Sequence, residues 1–487
     1  MASRLSWSPH GDALGIAVLA HRAMARGHAL RLTPDGYAGP DTLARAARHA
    51  GLPAAAVSGP GAPAAQDERP IALPRIVLYC GAAIGYPYYA YYSHCLWSLG
   101  LPYRRATAAD IAGGILDHAD VLILPGGFAT WGLDRIEGQT GVDDAIRAFL
   151  ARGGAGIGSC GGAYYFSQGR PHWLGLLDAK PRYTHEYLCT GAGLLNVRLA
   201  DAALRRDLPE TMELAYYHGP VYEPGHRRAR TGGTFESHIM STRLFIDNPL
   251  EGERFDRVMR DRVAILSSNA HEGRVVGFSP HPEMGEFLRK AMALDGYVRK
   301  YLPIRGRKTM EETLRFYARE DCLSFRLVLN AALMLGAFDV RGDRGAVDLG
   351  RQHQESAALR SGGTAAPAPA CSPDENLRRA EQSWHVAANA LAGRLDNEEP
   401  ALSELMGGML HTLADEWKEL LLAPELRDGD DEALSAELCL VMDDAILALQ
   451  GAPRRAVEML VLLELPVRLL AAAVRIARFD RVIKESM

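Results

Sequence analysis

Apolar positions change their spacing several times along the chain. Residues 1–50 carry helix-like apolar spacing, in "DALGIAVLAHRAMARG" and again in "DTLARAARHAG", and predict a small helical N-terminal region. From 51 to 74 the period is lost while Ala, Pro and Gly accumulate, which is the composition of a linker. Beyond Arg75 short apolar runs take over. "RIVLYC", "DVLILPGG" and "AGIGSC" read as buried strands, and "YYAYYSHCLWSLG" and "GVDDAIRAFLARGG" between them have helical character. Alternation of this kind predicts a parallel sheet with helices on both faces, and ligands meet such sheets at the carboxyl ends of the strands. After about residue 195 the texture turns to strands and turns ("LLNVRLA", "MELAYYHGPVYEPG", "RVAILSSNA", "RVVGFSPHPE"), so part of the sheet is expected to be antiparallel. Residues 284–340 read as helices packing back on this core, which gives one α/β domain over 75–340. A second linker, 341–376, is followed over 377–487 by long amphipathic stretches that predict a separate helical bundle.

Composition narrows the function classes. In 487 residues, 48% are hydrophobic and 23% charged, and the formal net charge is −5. That describes a near-neutral globular protein rather than a polycation that grips phosphate backbones, so no nucleic-acid partner is expected. His10, Asp12, His21 and Arg22 interrupt the N-terminal apolar residues, which speaks against a secretion signal. The apolar late segment "VEMLVLLELPVRLLAAAVRIA" contains Glu464, Pro466 and Arg468, so it reads as a bundle helix rather than a membrane span. The seven cysteines are scattered and show no CxxC spacing, which fits a reducing cytoplasm. His185, Glu186, His218 and Glu223 lack metal-ligand spacing, and neither a metal nor a cofactor is expected.

Candidate chemistry centres on "GIGSCGGAYYFS" (156–167). Gly158-Ser159-Cys160-Gly161-Gly162 matches the nucleophile elbow, a sharp strand-to-helix turn that holds its central side chain up and needs glycine on either side. The start of the following helix favours thiolate over thiol. A buried structural cysteine is the competing reading. Gly156, Gly158 and Gly161 also satisfy a dinucleotide fingerprint, but Asp178 lies in "GLLDAKPR", which does not read as the strand end that fingerprint requires. A thiolate needs a base. In "VVGFSPHPEMGE", His281 and Glu283 flank Pro282 after a strand-like run, so in extended backbone both side chains point the same way and the carboxylate can orient the imidazole. "ILPGGFATW" offers Gly126 and Gly127 at another strand end, where backbone N–H groups can approach a developing negative charge together with that of Gly161. Tyr86, Tyr88, Tyr89, Tyr91, Tyr92 and Trp97 cluster after the first sheet strand, as a pocket wall or as a contact between domains. Tyr217 and His218 are further candidates for substrate contact.

LPGG, then GSCGG, then SPHPE, in this order on an alternating sheet over roughly 75–300, resemble the class I glutamine amidotransferase-like superfamily. Within it the aromatic-rich sequence after the elbow looks most like the domain at the N-terminus of some biotin–protein ligases. The resemblance implies a flavodoxin-like α/β sandwich with helical appendages at both ends. It also implies a cysteine hydrolase acting on a carboxamide through a thioester. Cys160 would be the nucleophile, His281 the base and Glu283 its orienting acid, with Gly127 and Gly161 as oxyanion donors. Glutamine-using members usually have Gln or Met four residues after the cysteine, where this chain has Tyr164. The ligase motif GRGRxGR and the phosphate loop GxxxxGK[ST] are both missing from the sequence, so biotin transfer is not implied, and an acceptor for released ammonia would lie on another protein or in a domain without that loop. A small amide is the expected substrate, and the helical C-terminal region is the candidate surface for a protein partner. The alternative is a non-catalytic ligand-binding or scaffold protein that uses the same pocket.

Overall fold

The computed structural model describes residues 2–7, 12–53, 57–58, 68–225, 228–317, 323–340, 372–427, 432–450 and 454–486. An eleven-stranded mixed sheet forms its centre. Nine strands lie on one path: β1 (Ile76–Tyr79), β2 (Tyr103–Ala106), β3 (Val121–Leu124), β4 (Ala155–Ser159), β5 (Ala192–Leu199), β6 (Thr211–Tyr217), β7 (Ala229–Ser241), β8 (Val263–Ala270) and β9 (Gly273–Phe278). Their order is β6-β5-β7-β8-β9-β4-β3-β1-β2. From β9 to β2 the pairing is parallel. From β9 to β6 it is antiparallel. The protein is thus an α/β protein of the expected class, with the antiparallel extension anticipated from the turn-rich stretch after residue 195.

β1, β3 and β4 are buried along their whole length, as parallel strands must be when helices cover both faces. The covering helices include α1 (Tyr88–Ser98), α2 (Val142–Ala151), α3 (Gly161–Phe166), α4 (Gly285–Ala293) and α5 (Leu323–Met334). Register decides where the site lies. Gly158 stands beside Leu124 on one side and Gly277 on the other, and Ser159 beside Phe278. β3, β4 and β9 therefore end together, and Gly126, Cys160 and His281 leave them at one rim.

Two regions depart from the sequence-based expectation. The N-terminal region, expected to be helical, keeps its two helices (Ala13–Ala25 and Asp41–His49) but also builds an antiparallel sheet from Ala2–Ser6, Leu30–Thr33, Gly36–Pro40, Val57–Ser58 and Arg69–Ile71. "ASRLS" and "GYAGP" contain no β-branched residue; Gly36–Pro40 forms a local hairpin with Leu30–Thr33, and Ala2–Ser6 joins it from a distant part of the chain, where pairing overrides a weak local preference. The last two strands fall inside the expected linker 51–74, of which 54–56 and 59–67 lie outside the described residues.

The C-terminal helices are α6 (Pro373–Leu395), α7 (Pro400–Leu421), α8 (Glu432–Gln450) and α9 (Ala456–Ser486). Residues 341–371 of the second expected linker lie outside the described residues. The bundle is not separate: α9 packs on α6, α7 and α8, and also on α1 and both N-terminal helices. Its first half, residues 456–473, is apolar and buried on almost every side, whereas Arg475, Arg478, Arg481 and Lys484 keep one face of the second half exposed. Its acids find cations in other regions, Glu464 with Lys290 at 2.6 Å and Asp480 with Arg22 at 2.5 Å. Among the described residues no helix is long and apolar enough to cross a membrane.

Candidate active site

β4 ends at Ser159 and α3 begins at Gly161, so the chain turns from strand to helix at the single residue Cys160. Cys160 takes φ 47° and ψ −107°, a strained backbone outside the ordinary regions for a residue with a side chain. A Cβ on Gly161 would sit 2.2 Å from the Gly127 oxygen, and one on Gly162 would sit 2.0 Å from the Leu124 oxygen. Small residues are therefore required on the far side of the elbow. The backbone N–H of Cys160 donates to Phe278 and its carbonyl accepts from Tyr164, both at 2.9 Å, so the turn is tied to β9 and α3. The side chain is half-buried, and its Sγ donates to the Tyr217 carbonyl at 3.0 Å.

His281 reaches the same place from β9. Its backbone N–H donates to Ala215 at 2.8 Å, an isolated bridge to β6 that fixes where the ring emerges. A Cβ built on Gly126 would lie 2.7 Å from His281 Cε1 and 3.4 Å from Cys160 Cβ, so imidazole and cysteine crowd the same glycine. Nδ1 is 2.8 Å from Glu283 Oε1, and both side chains are buried. Nε2 is buried without a hydrogen-bond partner among the described residues. The ring of Tyr217 stands edge-on to the imidazole, with centroids 5.8 Å apart. Burial alone would drive the imidazole toward its neutral form. The Glu283 carboxylate and the Cys160 sulfur overcome this and push its pKa up to about 10. A cationic imidazole beside a sulfur is the arrangement that favours thiolate.

The two glycines expected as oxyanion donors lie side by side: the Cβ position of Gly161 is 3.2 Å from the Gly127 nitrogen. Gly127 takes φ 110°, a conformation open to glycine, which turns the loop back against Ala83 and Ile84. Among the described residues neither amide N–H has a hydrogen-bond partner.

The side chains expected to touch substrate divide. Tyr217 lends its carbonyl to Cys160 and its ring to His281, while its hydroxyl is buried and unpartnered among the described residues. Tyr164 is buried, and its hydroxyl donates to the His218 carbonyl at 3.2 Å. The His218 ring is engaged internally, with Nδ1 at 3.2 Å from the Leu188 carbonyl and Nε2 at 3.4 Å from Asn248 Nδ2. The aromatic cluster of α1 also splits. Tyr88 is half-buried and lies close enough to Cys160 for the sulfur to raise its pKa, although burial contributes more. Tyr86 donates to the Leu462 carbonyl of α9 at 2.7 Å, and Tyr89 donates to Asp444 of α8. Tyr92 turns inward to Ser159 at 2.6 Å.

Sequence reasoning did not single out Ser159 or give Tyr92 a role of its own. Ser159 Oγ donates to Glu283 Oε2 at 3.0 Å across a separation of 124 residues. No spacing pattern reports such a contact; the only local signal is a hydroxyl where the strand before the elbow is otherwise small and apolar.

Residues 102–201 match the family model of the CobB/CobQ-like glutamine amidotransferase domain. The match supports the class I glutamine amidotransferase-like superfamily for this part of the chain. A glutamine amidotransferase from Thermotoga maritima is 14% identical with a TM-score of 0.33, the similarity covering 54% of this chain and 97% of that one. Another solved glutamine amidotransferase is 16% identical with a TM-score of 0.28, covering 42% and 90%. A β-galactosidase from Rahnella is 13% identical with a TM-score of 0.30, covering 54% and 32%. No curated protein matches the chain by sequence.

Proposed function

We propose that this chain is a cysteine-dependent amidase of the glutaminase type, with Cys160 as nucleophile, His281 as general base and acid, and Glu283 as the acid that orients and charges the imidazole. One observation carries the reading: a strained cysteine, a buried imidazole and a buried carboxylate, from distant parts of the chain, meet at one rim of the sheet. The family match over 102–201 supports amidotransferase-type hydrolysis in general.

In this reading the thiolate attacks the carboxamide carbon, a C–S bond forms, and the carbonyl π electrons move to oxygen, which faces the N–H groups of Gly127 and Gly161. Collapse of the tetrahedral species expels the nitrogen, which takes its proton from His281 Nε2 and leaves as ammonia. Water then gives a proton to His281 and attacks the thioester, and the acid product leaves as sulfur recovers its charge. Released ammonia either diffuses away or passes to a partner docked on the helical C-terminal region. The substrate is a small amide.

The hydrogen bond from Cys160 Sγ to the Tyr217 carbonyl favours a second reading, a binding protein whose thiol stays protonated. Alkylation separates the two. An amidase predicts that iodoacetamide labels Cys160 ahead of the other cysteines, and that Cys160→Ala keeps the fold while abolishing amide turnover. Equal labelling of all accessible cysteines would overturn it.

A further inference from the structure

The carboxylate of Glu283 uses two different oxygens. Oε1 holds His281 Nδ1 at 2.8 Å, and Oε2 accepts from Ser159 Oγ at 3.0 Å. Ser159 Oγ lies 2.6 Å from the Tyr92 hydroxyl. All four side chains are buried, with Ser159 and Tyr92 at 0% exposure and His281 and Glu283 at 1%. In so dry a setting each oxygen of a carboxylate needs a donor, and a lost donor is not replaced by water.

The direction of the chain is fixed. Ser159 has one hydroxyl proton and gives it to Glu283 Oε2, so the Tyr92 hydroxyl is the donor in its bond to Ser159 Oγ. Burial, and after it the Glu283 charge, hold the Tyr92 phenol well above its ordinary pKa, so it keeps its proton.

We infer that Ser159 and Tyr92 are positioning residues of the active site: through Glu283 Oε2 they fix the plane of the carboxylate, so that Oε1 stays on His281 Nδ1 and Nε2 stays directed at the reacting sulfur. The inference deepens the amidase reading and rests on it for its catalytic consequence. It also makes α1 the element that joins the C-terminal helices to the chemistry. Tyr92 lies on the side of α1 that meets the carboxylate, while Tyr89 and Ser93 are bonded to Asp444 and Glu437 of α8, and Tyr86 just before α1 is bonded to α9.

The groups that face His281 and its partner are few. Glu283 comes from its own segment, Cys160 from the elbow and Tyr217 from β6, while Tyr91 and Tyr92 of α1 lie close enough to the carboxylate to be raised by its charge after the larger effect of burial. The tyrosines remain neutral, so the titration of His281 reports on sulfur and carboxylate.

The test uses the full-length chain with Ser159→Ala and Tyr92→Phe, two changes that remove hydroxyls and little volume. Titration of the His281 imidazole followed by NMR is expected to move down by about one pH unit or more in Ser159→Ala and by less in Tyr92→Phe. Iodoacetamide alkylation of Cys160 at neutral pH is expected to slow about tenfold in Ser159→Ala. A fold-preserving Ser159→Ala in which the His281 titration does not move overturns the inference. A wild-type Cys160 that is not preferentially alkylated overturns the amidase reading instead, and the titration still decides whether the two hydroxyls position the imidazole.

Discussion

At the scale of single residues, the site depends on charge held in a dry place. His281 is buried, yet Glu283 and Cys160 raise its pKa from 6.5 to about 10. A group whose folded pKa is raised contributes stability that is fully present below its unfolded value, here near 6.5, and is lost as pH rises through about 10. Thermal stability should therefore lose this contribution between those values, and activity that needs a cationic imidazole should decline near pH 10 rather than near 6.5. Glu283→Gln removes the carboxylate charge, which leaves burial to dominate. The alkaline limb of the turnover profile should then move down by several pH units. A limb that stays in place in Glu283→Gln would show that the carboxylate is not what charges the ring.

At the scale of elements, the elbow works because β4, α3 and the loop after β3 approach more closely than side chains allow. A Cβ on Gly161 would meet the backbone of Gly127, including its oxygen at 2.2 Å, and no rotamer change can relieve a clash with backbone. Gly161→Ala must push α3 away from the loop that carries the second oxyanion donor. Destabilisation of about 1–3 kcal/mol is expected, together with loss of turnover even where the protein remains folded. A lowered thermal midpoint with normal turnover would separate packing from oxyanion geometry and count against Gly127 and Gly161 as paired donors. α1 is legible in the same terms: its sequence announces a helix, but only its neighbours assign Tyr88 to the sulfur, Tyr92 to the carboxylate relay and Tyr89 to α8.

At the scale of the whole molecule, α9 holds the ends of the chain together. Arg22 of the N-terminal region bonds Asp480 through two nitrogens, at 3.0 and 2.5 Å, and both side chains are largely buried. Removing one charge of a buried pair costs up to about 3–5 kcal/mol. Asp480 also pairs with Arg26, so Asp480→Asn weakens two contacts of the N-terminal region and should lower the unfolding midpoint. If the C-terminal helices were an independent bundle, the substitution would instead soften one transition and leave that of the α/β domain unchanged. Calorimetry of the variant decides between these outcomes.

Local pattern alone determined the class of the fold: runs such as "VLIL" and "AGIGS" cannot be solvated and so must become covered parallel strands. It also marked Cys160, since few backbones other than a sharp turn need glycine so closely around one reactive side chain. Of the N-terminal strands, Leu30–Thr33 and Gly36–Pro40 close a local hairpin around Pro34-Asp35, whereas "ASRLS" has little preference of its own for pairing and gained it from a partner dozens of positions away. The joining of α9 to the α/β domain was illegible for a related reason: an apolar helix reveals that it must be covered but not by what. Ser159, inconspicuous in sequence, acquires its contact with Glu283 only because β4 and β9 run parallel and in register. Which side chains meet across a sheet is set by pairing between distant strands, and the free energy of that pairing belongs to the packed molecule rather than to any one segment.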